Sequence, residues 1–192
     1  MPRIAALAAA TLLLAAQPAT ADPEGSGDAA AFMTRFSGEW RGTGRVLVGP
    51  AHGTKFHCAL AGDRSGSDTS FLMTGRCWLG RLSAPVTARM RYNAETGRYY
   101  GAFRDGGDGS GLDIVGAREG EGFVLSLTRG MAHGRLTAEP VGRTQMKVMI
   151  SLVDRPNDRE IPVIAMGLAK DGAASLPHYY EPGATGSVAK TQ

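Results

Sequence analysis

From Gly38 onward the chain offers only short stretches of alternating hydrophobicity, and the connections between them are too short to carry a helix across a sheet. Ten runs place apolar residues at every second position: Glu39–Val48, Thr54–Ala61, Thr69–Leu79, Ala84–Tyr92, Arg98–Arg104, Gly111–Ala117, Gly122–Arg129, Met131–Glu139, Thr144–Val153 and Ile161–Lys170. Turn-forming segments such as 93–97, 118–122 and 129–130 separate them. Parallel neighbours need a crossover of about a dozen residues or more, so successive strands here are hairpin partners and the sheet is antiparallel. A parallel α/β fold is excluded. Ten strands in meander order close into a barrel or split into two sheets, and closure removes the exposed edges. The expected fold is therefore all-β, an antiparallel up-and-down β-barrel of about ten strands with a short N-terminal helix. The 27 glycines among 192 residues agree with many tight turns and argue against long helices.

The phases of the first strands are consistent with one dry and one wet face. Trp40, Val46 and Val48 share a side, as do Phe56, Cys58 and Leu60, then Phe71, Met73, Cys77 and Leu79, then Val86, Met90 and Tyr92. The opposite sides carry Arg41, Arg45, Lys55, His57, Arg76, Arg89 and Arg91. Later strands are noisier, and the last (Ile161, Val163, Ile164, Met166, Leu168) is apolar on both faces, which implies cover on its outside. Small residues (Gly42, Gly44, Gly75, Ala88, Gly101, Gly116) interrupt the dry face. Small inward residues either bend a strand or leave a cavity.

The flanks read differently. Arg3, the apolar run Ile4–Ala16 and the small residues at Ala19 and Ala21 form a secretory signal peptide over residues 1–21, with the mature chain beginning at Asp22. Its apolar run is well short of the ~20 residues that span a bilayer, and no transmembrane segment is expected elsewhere. Residues 22–37 are a linker and short capping helix in which Asp28 caps and Ala29, Phe32, Met33 and Phe36 share a face. The barrel occupies 38–171, and 172–192, without periodicity, is a loose tail. Export makes Cys58 and Cys77, which point the same way on consecutive strands, a disulfide rather than a metal half-site, so the protein is expected to be periplasmic or secreted.

Several activities lack their residues. There is no G-x-S-x-G elbow, H-E-x-x-H, Walker loop or C-x-x-C. The stretch Asp105–Asp113 is rich in glycine and aspartate but fits no calcium-loop spacing, and reads as a hairpin loop. A net charge of +3 is too mild to imply nucleic acid.

The short apolar helix followed by Gly38-Glu39-Trp40 resembles the lipocalin (calycin) superfamily, which carries a G-x-W at that point. The longer Gly38-Glu39-Trp40-Arg41-Gly42-Thr43-Gly44 is most similar to the opening of nitrobindin-type ten-stranded barrels, G-x-W-x-G-x-G. The resemblance implies that Trp40 closes the barrel floor. Nitrobindin-type barrels hold haem through a histidine on a late strand, but Thr144–Val153 and Ile161–Lys170 contain none. His133 has an outward phase and His178 lies in the tail, so neither haem nor any other cofactor, and no metal, is expected.

The expected function is binding of a small apolar or amphipathic molecule in the lumen, without catalysis, along Phe71, Met73, Met90, Gly101, Phe103 and Leu125, with Trp40, Cys58 and Cys77 structural. The alternative is a protein-interaction or inhibitor module with a filled core that holds a protein partner through Arg89, Arg91 and Trp78.

Overall fold

A computed structural model describes residues 25–64, 69–104, 106 and 111–173. The alternating runs become ten strands in chain order: β1 Gly38–Val46, β2 Lys55–Asp63, β3 Ser70–Leu79, β4 Leu82–Asn93, β5 Arg98–Arg104, β6 Leu112–Glu119, β7 Gly122–Arg129, β8 Ala132–Val141, β9 Gln145–Asp154 and β10 Arg159–Lys170. Each pairs antiparallel with the next, and β1 pairs with β10 from Trp40 opposite Lys170 to Val46 opposite Ile164, which closes the barrel. The expected fold class is what the chain forms. The signal peptide (1–21), most of the expected tail (174–192) and most of the 105–110 loop lie outside the described residues.

The helix differs in detail from the sequence reading. α1 runs Ser26–Thr34 with Gly25 at the N-cap and no side-chain cap, so Asp28 lies inside the first turn instead of capping it. The reason is local: Gly25 O already accepts the Ala29 N–H at 3.0 Å, and the Asp28 carboxylate sits where the helix dipole favours a negative charge. Ala29, Phe32, Met33 and Phe36 are buried as expected. They plug the end of the barrel at which β1 begins. Phe32 and Phe36 each lie 4.7 Å from the Phe123 ring, and Phe36 is 6.4 Å from Phe71. Trp40 completes this floor: it is 2% exposed, its Nε1–H donates to Phe36 O at 2.9 Å, and Lys170 Nζ lies 5.0 Å from its ring.

The inward glycines bend strands. A Cβ on Gly101 would fall on the carbonyl oxygen of Arg89 in β4, and one on Gly75 would fall on that of Ala59 in β2. Neighbouring backbones approach so closely there that the strands coil tightly into the barrel. The two-faced look of β10 has two causes. The register shifts between Pro162 and Ile164, which changes the phase of alternation. Beyond it, the buried outward residues are the small Ala165 and Ala169, set opposite the long Arg45 and Arg41 of β1, whose stems cover apolar surface.

Cys58 and Cys77 are directly opposite across β2 and β3, with Cα atoms 4.1 Å apart, and are bonded. Replacing both by alanine is expected to cost ~3 kcal/mol through the freed unfolded chain. Denaturant titration measures this, and an unchanged midpoint would contradict it.

Candidate functional site

In a closed wall an inward side chain can meet solvent only through the lumen. At the plugged end Trp40, Leu60, Phe71, Tyr92, Tyr99, Phe123, Met146 and Leu168 are all buried. Toward the other end Phe56, Met73, Cys77, Val86, Phe103, Leu112, Leu136, Ile150 and Met166 pack against that core yet stay only half-buried. The barrel thus has an apolar floor, an apolar lumen and a mouth. The mouth lies at the end where β1, β3, β5, β7 and β9 finish, opposite α1.

The six residues expected to line the lumen divide by depth. Phe71, Met90 and Leu125 are buried and belong to the floor, while Met73 and Phe103 are half-buried. Met73, Ala88, Phe103 and Leu112 are successive partners across β3 to β6 and form one belt of the wall. Gly101, whose Cβ would strike Arg89 O, contributes curvature and no room for a larger side chain. Phe56, Val86, Leu136, Ile150 and Met166 complete the lining and were missed. Leu136 and Ile150 are cross-strand partners, so their shared phase was available, but the outward apolar residues Met149 and Val153 obscured it.

The lining is hydrocarbon, aromatic and sulfur. At the plugged end two charged residues hold inward register positions: Lys170 is over Trp40, and the Arg118 guanidinium is 4.7 Å from the Phe32 ring centre. The other inward register positions with charge, Arg129, Asp154 and Arg159, lie at the rim of the mouth. Among the described residues no group of three His, Cys, Asp or Glu side chains is placed to hold a metal. His57 is on the outer wall, stacked on Trp78 with ring centres 5.0 Å apart, and His133 lies opposite Thr128 on the outward face. Arg89 and Arg91 are exposed on the same outer wall. Such a lining excludes water from whatever fills it and recognises by shape and apolar area.

The chain is a closed ten-stranded antiparallel barrel, plugged by α1 at one end. No protein-family model matches the chain, and no curated protein matches it. Among solved structures it is similar to the S-type phycobiliprotein lyase CPES from Guillardia theta, with a TM-score of 0.56 and 10% identity over 75% of this chain and 93% of that one. At that identity the likeness is one of fold.

Proposed function

We propose that the chain is an exported, periplasmic barrel that binds a small apolar or amphipathic molecule in its lumen and performs no chemistry on it. One observation carries the reading: inward apolar side chains are buried at the plugged end and half-exposed toward the mouth. Filling that space with a ligand removes apolar surface from water at ~25 cal/mol per Å², before the costs of association. That a barrel of similar fold belongs to a phycobiliprotein lyase supports a lumen put to use, and the G-x-W-x-G-x-G opening supports placing this barrel nearest the nitrobindin type. Export rests on residues 1–21 of the sequence.

The test is uptake of a fluorescent fatty-acyl probe and of a tetrapyrrole by the purified chain, together with N-terminal sequencing of material recovered outside the cytoplasm. Saturable uptake of one class and a chain starting at Asp22 are expected. Uptake of neither class favours the interaction module. That second reading draws on one feature of the outer wall: the exposed Arg91 is paired across strands with the exposed Tyr100, beside the exposed Arg89.

A further inference from the structure

Exposed large apolar side chains are unevenly placed on this molecule. Among the described residues there are five, and one of them, Tyr100, is on the wall. The other four surround the mouth: Val48 (38% exposed), Leu82 (72%), Leu152 (50%) and Met131 (96%). They belong to four different hairpins, β1–β2, β3–β4, β9–β10 and β7–β8. The fifth hairpin at this end, β5–β6, lies partly outside the described residues. At the plugged end the connections at 94–97, 120–121 and 142–144 present no exposed large apolar side chain.

Charge is positive at two of these hairpins, whereas β9–β10 mixes Arg155 and Arg159 with Asp154, Asp158 and Glu160. The two tightest hairpins at the mouth each set an exposed arginine beside the exposed apolar residue, Arg81 beside Leu82 and Arg129 near Met131, and neither turn contains an acid. Among the described residues neither arginine has an ion-pair partner. A fully exposed methionine at a turn has no role in the core, and an apolar ring around an apolar lumen leaves the ligand a path that avoids water.

We propose that this rim docks on a lipid bilayer bearing anionic head groups, so that the lumen faces the acyl region and exchanges an apolar ligand with it. The proposal rests on the lumen-binding reading. Two features favour a bilayer over a folded protein. The apolar tips are set apart around a ring instead of forming one patch, which suits a fluid interface needing no matched pockets. Arginine beside the Leu82 and Met131 tips complements anionic head groups.

Co-sedimentation with vesicles of phosphatidylcholine and phosphatidylglycerol in equal parts, and with phosphatidylcholine alone, tests it on the whole mature chain. Wild type is expected to bind the mixed vesicles and to bind the neutral ones less. The pairs Leu82→Ser with Met131→Ser and Arg81→Glu with Arg129→Glu should each weaken binding to mixed vesicles about tenfold or more. These side chains are exposed, so both variants should melt as wild type does and still take up the fluorescent probe from vesicle-free solution. Wild type that binds neither vesicle, or binding undiminished in both variants, overturns the proposal; the first result would leave the rim to a protein partner. Failure of the lumen reading is separately visible, as vesicle binding without probe uptake.

Discussion

Trp40→Ala unfolds the barrel or lowers its stability by ~3–5 kcal/mol, the usual cost of truncating so large a buried side chain. Against a total stability of roughly 5–15 kcal/mol that is a large fraction. Three contacts fail together: the indole fills the floor beneath α1, its N–H satisfies Phe36 O, and its ring carries the Lys170 ammonium. Trp78→Ala is the comparison. Trp78 is half-buried on the outer wall, where it stacks on the exposed His57, and its loss should cost about 1 kcal/mol. Thermal and denaturant melts of the two variants, followed by circular dichroism, should differ widely. Equal, small shifts would show that the indole at position 40 does not close the floor.

Ala88→Trp should abolish ligand uptake while the protein still folds. Ala88 takes the inward register position between Met73 and Phe103 and is only half-buried, and it already carries the Cβ that Gly101 has no room for. An indole there occupies the belt at a cost of ~1–3 kcal/mol, which a cooperative barrel tolerates. Probe affinity should fall at least ~10-fold, a loss of ~1.4 kcal/mol or more of binding free energy. Thr74→Trp places the same side chain on the exposed outer face of β3 and should leave uptake unchanged. A plug at 88 without effect on uptake would move the binding site out of the lumen.

The early strands were legible because their two faces differ in chemistry. Cys58 and Cys77, with Phe56, Leu60 and Phe71 on one side and Arg76 and Lys55 on the other, fix a register that a slip of one residue would invert. β10 was less legible because its phase shifts at Pro162 and its outer residues are small and apolar, so periodicity alone cannot say which side is in. The dry-face glycines posed a different difficulty. Whether Gly101 leaves a void or lets strands touch depends on the distance to Arg89 O, which belongs to the closed barrel and not to the local sequence. The same holds for the depth at which Phe71 and Leu125 become floor and Met73 and Phe103 become wall. The mouth went unread for a related reason: Leu82 and Met131 look like ordinary hairpin residues until closure brings their turns to one end.

Native mass spectrometry of the chain purified from its own host tests the central claim most directly. A fraction of the protein should carry an additional mass of one small molecule, released by organic solvent and reduced or lost in Ala88→Trp. A single apo mass for wild type, in preparations that also take up no fatty-acyl or tetrapyrrole probe, would contradict a ligand-binding lumen.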